Sequence, residues 1–69
     1  MLRYKIDILA ELKSIGYSTY RMRHQKILSE GTMQKIRNGD TTLTLENLGV
    51  ICGLLHCQPG DLVEWVEDE

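Results

Sequence analysis

Glu30, Gln34, Lys35 and Arg37 lie close together in the chain and offer carboxylate and amide acceptors beside amide, ammonium and guanidinium donors. Fixed on one rigid surface, such groups can bond to the edges of a planar hydrogen-bonding partner. A second cluster, Cys52, His56 and Cys57, holds metal-ligand types, with Cys52 and His56 four apart at helical spacing. A zinc site needs about four ligands, and only His24 remains as a conventional fourth. The plainer reading makes Cys52 and Cys57 small buried hydrophobes and His56 the end of a helix. No metal or other cofactor is expected, and no disulfide in a reducing compartment. The chain has no glycine-rich phosphate loop, no nucleophile elbow and no paired carboxylates in a recognisable setting, and 69 residues leave little room for a substrate cleft. It reads as a non-enzyme.

The elements that must position the first group can be read from spacing. Ser29 is an N-cap, its hydroxyl able to accept from an unpaired amide at the helix start, and Glu30 suits the positive end of the dipole. Met33 and Ile36, three apart, give one buried seam, and Asn38-Gly39 stops the helix. About two turns long, it must be held by neighbours. Before it, Tyr4, Ile8, Leu12 and Ile15 predict a helix over 4–15 ended by Gly16. Ser18 caps a helix over about 19–25 with Tyr20 and Met22 as its apolar residues. After it, Asp40–Leu43 is a loop, and Thr44 caps a helix over about 45–55 whose apolar face is Leu45, Leu48, Ile51, Cys52 and Leu55. Gln58-Pro59 starts a fifth helix carrying Leu62, Val63, Trp65 and Val66, before Glu67, Asp68 and Glu69 fray into solvent. The expected fold is all-α: five short helices in one domain over 1–69. A short, rigidly held helix with polar groups outward is what a DNA major groove accepts, and a solvated surface helix is the plainer alternative.

Composition bounds the rest. With 42% apolar residues the chain should be globular, near the lower size limit for a self-sufficient core. No apolar run approaches the roughly 18 residues of a membrane span, and the start lacks a signal-peptide pattern, so a cytoplasmic location is expected. The net charge of −2 hides a division. All eight Lys and Arg residues fall in the first 37, where residues 1–40 hold four acids, for +4; residues 41–69 hold six acids and no Lys or Arg, for −6. A basic lobe facing a polyanion, with an acidic lobe turned away, fits this division, and chance segregation is the alternative.

Ser18-Thr-Tyr-Arg-Met22, Leu28-Ser29, Ile36-Arg-Asn-Gly39 and Leu48 through Cys57-Gln-Pro-Gly-Asp-Leu62 together resemble the phage repressor/Cro-type (XRE-like) helix-turn-helix family, over roughly residues 5–66. The resemblance implies a five-helix DNA-binding transcriptional regulator, repressor-like, with the helix-turn-helix at about 18–38, of bacterial or phage and mobile-element origin. It implies double-stranded DNA as partner, read by Glu30, Gly31, Gln34 and Lys35, with Lys35 foremost. Phosphate contacts fall to Thr19, Arg21, Ser29, Arg37, Asn38 and Thr42. Many relatives are dimers; here Leu62, Trp65 and Val66 are the candidate interface of a homodimer. No membrane or small-molecule partner is expected. Relatives carry Gly in the turn where Ile27 stands, a position that strains a β-branched residue; either the turn has another geometry or the correspondence slips by a residue within 23–28. The competing class is a protein-interaction module of the same fold, antitoxin-like or an adaptor, using the acidic C-terminal lobe.

Overall fold

Four of the helices are capped at their start by the side chain just before them. Asp7 accepts from Ala10 N–H at 3.1 Å, Ser18 from Arg21 at 3.1 Å, Ser29 from Thr32 at 3.1 Å and Thr44 from Asn47 at 3.0 Å. In the computed structural model, which describes residues 1–67, these caps open α1 (Ile8–Ser14), α2 (Thr19–His24), α3 (Glu30–Arg37) and α4 (Leu45–Leu55). A fifth, α5 (Pro59–Leu62), starts at proline, with the Asp61 carboxylate accepting from Gln58 N–H at 2.9 Å.

The same four helices end alike. In each, a residue in the left-handed region is followed by an amide reaching back five residues: Tyr17 to Leu12 at 2.9 Å, Ile27 to Met22 at 2.8 Å, Asp40 to Lys35 at 2.8 Å and Cys57 to Cys52 at 3.1 Å. The left-handed residues are Gly16 and Gly39 and, without glycine's freedom, Lys26 (φ 56°) and His56 (φ 53°).

The all-α expectation is corrected. Two strands, β1 (Leu2–Tyr4) and β2 (Val63–Trp65), pair antiparallel with Leu2 opposite Trp65, Arg3 opposite Glu64 and Tyr4 opposite Val63. Bonds at both ends extend the pairing: Met1 N to Val66 O at 2.6 Å, Val66 N to Met1 O at 2.8 Å and Lys5 N to Leu62 O at 2.8 Å. The last helix therefore stops at Leu62, and the first starts at Ile8 rather than at residue 4. Val63, Trp65 and Val66 are β-branched or aromatic, and Leu2-Arg3-Tyr4 alternates apolar and charged residues, so both segments suit a half-buried strand. Asp68 and Glu69, expected to fray, lie outside the described residues.

The core is Ile8, Leu12, Met22, Leu28, Met33, Ile36, Ile51 and Leu62, one or two residues from each of the five helices plus the turn residue Leu28. Of the predicted apolar faces, Ile15, Tyr20 and Leu45 are exposed instead, Leu45 at 86%. Each lies at or near a helix end, where the stripe has run past the core. Staples fix how the chain enters three helices: Leu28 and Met33 flank the Ser29 cap, Tyr17 and Met22 the Ser18 cap, Leu43 and Leu48 the Thr44 cap, all within the core cluster. Among the described residues, no helix is long and apolar enough to cross a membrane.

Candidate nucleic-acid interface

The turn joining α2 to α3 sets the angle at which α3 is presented. The strain anticipated at Ile27 is absent, because the left-handed position falls one residue earlier, on Lys26. An unbranched, exposed lysine bears that conformation more easily than a β-branched residue. Ile27 is thereby freed to pack half-buried against the core, and Leu28 is buried beside it.

On α3, Met33 and Ile36 are buried and Thr32 is half-buried. At about 100° of rotation per residue, the outward face opposite them is centred on Gly31, Gln34 and Asn38. Glu30 and Arg37 flank it on the α2 side and Lys35 on the other, and all six are exposed. The α2 flank is wired together. Arg23 Nη1 lies 3.3 Å from Glu30 Oε2, Arg37 Nη1 lies 3.9 Å from Glu30 Oε1, and Arg37 also donates to Gln34 Oε1 at 2.5 Å. Glu30 thus serves α2 and its own helix as well as the dipole. Arg23 was missed as a site residue; its signal was an unlike charge seven residues ahead, across the turn.

The other flank leans on the loop after α3. Lys35 Nζ donates to Thr42 O at 3.3 Å, and the Asp40 carboxylate accepts from Thr42 N at 2.9 Å and Thr42 Oγ1 at 2.6 Å. Those two Thr42 bonds, aided by Lys35, hold the Asp40 carboxyl below the usual range. Tyr4 Oη donates to Asp40 O at 2.6 Å, so β1 braces the same loop. Burial, with the Asp40 charge nearby, pushes the Tyr4 phenol up. The base of α3 is tied to α4: Ser29 Oγ donates to Thr32 Oγ1 at 2.9 Å, and Asn47 Nδ2 donates to the same oxygen at 3.3 Å.

Of the predicted phosphate ligands, Thr19, Ser29, Arg37, Asn38 and Thr42 are exposed. Arg21 is exposed but folds back, donating to Gly16 O at 3.0 Å and lying 4.5 Å from the Tyr17 ring centroid. The fold redistributes the charge division of the sequence. Arg3 pairs with Glu64 at 2.6 Å and Lys5 donates to Gly60 O at 3.1 Å, which spends the basic residues in and just after β1 on the acidic end of the chain. The segment from Ser18 to Asn38 keeps Arg21, Arg23, Lys26, Lys35 and Arg37 against Glu30 alone.

Leu62 is withdrawn from the candidate dimer surface: it is fully buried, closing the core at the end of α5. Trp65 is 70% exposed and stands opposite Leu2, itself 47% exposed, with Val66 half-buried beyond. A groove of about 640 Å³, lined by Tyr4, Leu9, Lys13, Thr19, Tyr20 and Arg37 among others, runs from α1 to the end of α3. Cys52 and Cys57 are free thiols, and among the described residues no three His, Cys, Asp or Glu side chains converge as a metal site.

The family model for Cro/C1-type HTH DNA-binding domains matches residues 5–68. No curated protein and no solved structure matches the chain.

Proposed function

Because the chain belongs to the Cro/C1-type helix-turn-helix DNA-binding family, we propose that this DNA-binding regulator is a sequence-specific repressor that acts as a homodimer. In this reading α3 lies in the major groove and α2 crosses the phosphate backbone. The observation that carries it is the outward face of α3. Gly31 has no side chain to hold the helix off the bases, Gln34 stands at the centre, and cations flank both sides. A glutamine amide can bond an adenine edge in two places, a lysine can serve guanine, and Glu30 can accept from a cytosine amino group. Thr19, Ser29, Arg37, Asn38 and Thr42 are the phosphate ligands. Arg21 serves the α1–α2 turn first, through its bond to Gly16 O. Trp65 and Val66, with Leu2 added, form the surface for the second copy. That burial would supplement a core of eight residues.

Selection from a randomised duplex pool tests the proposal. Enrichment of an inverted repeat with half-sites about 10–11 base pairs apart is the expected result. A single enriched half-site would remove the symmetric dimer. No enrichment at low salt would remove sequence-specific reading and favour the protein-interaction alternative.

A further inference from the structure

Cys52 and Cys57 take no part in the nucleic-acid surface, yet their placement is specific. In the helix-ending motif shared by α1 to α4, the long backbone bond brings together the side chains of the residues it joins. At α1 that pair is Leu12 and Tyr17, at α2 Met22 and Ile27, and all four pack in or against the core. At α4 the pair is Cys52 and Cys57, joined by the 3.1 Å amide bond that spans the left-handed His56. Both thiols are free, half-buried and packed against the core. A disulfide requires converging Cβ vectors and Cα atoms roughly 4.4–6.8 Å apart, and the 3.1 Å bond from Cys57 N to Cys52 O already draws the two backbones together.

We propose that Cys52 and Cys57 are a redox-active dithiol that closes to an intramolecular disulfide by exchange with a low-molecular-weight disulfide. One protein thiolate attacks a sulfur of the small disulfide, whose S–S bond breaks and releases one small thiolate. The second protein thiolate then attacks the mixed disulfide at the protein sulfur, forming the Cys52–Cys57 bond and releasing the other small thiol. Two protons and two electrons leave the protein, and one small disulfide is reduced to two thiols. Burial, with Cys52 and Asp61 nearby, pushes the Cys57 thiol up, which favours its protonated form. The bond would tie the end of α4 to the segment just before α5, and so to Leu62 and β2.

The test uses the full chain, reduced and then equilibrated in buffers of oxidised and reduced glutathione. Samples are quenched with an alkylating agent, weighed intact and followed by far-ultraviolet dichroism. Both thiols should disappear together, giving a single chain lighter by two hydrogens, without adduct and with its helical signal unchanged. In Cys52→Ser the mixed disulfide should persist on Cys57, because no second thiol resolves it. A lasting glutathione adduct on the unsubstituted chain, disulfide-linked pairs of chains, thiols untouched in fully oxidised buffer or lost helical signal would each overturn the proposal. If Cys52→Ser fails to fold, the masses of the unsubstituted chain decide alone.

Discussion

Arg23 on α2 and Glu30 at the start of α3 are joined across the turn, guanidinium to carboxylate, at 3.3 Å. Both side chains are more than half exposed, so their pairing adds at most about 1 kcal/mol to stability. Its larger effect is on what Glu30 can do. Removing the cation with Arg23→Ala leaves Glu30 to Arg37 and the solvent. Urea unfolding should shift little, whereas base preference at the position facing Glu30 should change in a duplex selection. An unchanged preference would confine Glu30 to a dipole and pairing role.

Gln34 and Arg37 separate base reading from phosphate binding. Gln34→Ala should cost about 1–3 kcal/mol at one base position and relax preference there. Arg37→Ala should weaken binding to all duplexes alike and reduce the salt slope by about one. Titration of matched and mismatched duplexes at two salt concentrations measures both. A uniform loss from Gln34→Ala would take it off the reading face.

Gly31 sits early in α3 with room around it: an added Cβ would meet nothing closer than Ser29 Oγ at 4.0 Å. Gly31→Ala should therefore raise stability by about 0.5–1 kcal/mol through helix propensity. The same methyl would hold the helix off the bases, so affinity for the selected duplex should fall. Stability and affinity moving up together would argue against close approach at this point.

Leu62 and Trp65 are three residues apart with opposite fates. Leu62→Ala opens a cavity in the core and should cost about 2–5 kcal/mol, enough to unfold much of so small a domain. Trp65→Ser should leave the thermal midpoint of the isolated subunit nearly unchanged and shift sedimentation toward the monomer. A monomeric starting protein would remove Trp65 and Val66 from the interface.

Tyr4 and Asp40 give the stability curve two sloping sides. The Asp40 carboxyl ionises more readily folded than unfolded, chiefly through its two Thr42 bonds. Its contribution is whole above the ordinary carboxylate pKa and is lost as pH falls through the lowered folded value. The Tyr4 phenol loses its proton less readily folded, through burial and then Asp40. Its contribution is whole below the ordinary phenol pKa of 10.0 and is lost as pH climbs through the raised folded value. Asp40→Asn should flatten the acid limb. Tyr4→Phe should flatten the alkaline limb and cost about 0.5–1.5 kcal/mol at neutral pH, from the lost bond to Asp40 O. Urea unfolding across pH reads both.

What could be read from the sequence was local. Ser18, Ser29 and Thr44 are caps because a short hydroxyl ahead of an apolar-periodic run has one obvious use, and all three bond as that use requires. Met33 and Ile36 mark the buried side of α3 by spacing alone, which leaves its outward face by subtraction. Contacts between distant segments could not be seen. The pairing of Leu2–Tyr4 with Val63–Trp65 pits two three-residue strands against helical patterns that began at Tyr4 and ran on through Val63 and Trp65, and only their meeting decides the outcome. Lys26 took the left-handed turn in place of Ile27 because Ile27 had a core to enter, which no window of sequence displays. The Tyr4–Asp40 bond spans 36 residues and was equally out of reach.

The ribbon of β1 and β2 also imposes an order in time. Its outermost bond joins residues 65 positions apart, so closing it carries the largest loop-entropy cost in the fold, while each helix can form from neighbours. During synthesis β1 emerges before β2 and waits unpaired until the five helices between them have followed. The surface around α3 is then assembled before Leu2 and Trp65 come to stand opposite each other. In folding kinetics, strand substitutions such as Val63→Ala, which removes a β2 side chain packed against the core, should act mainly on the unfolding rate, and core substitutions such as Met33→Ala mainly on the folding rate.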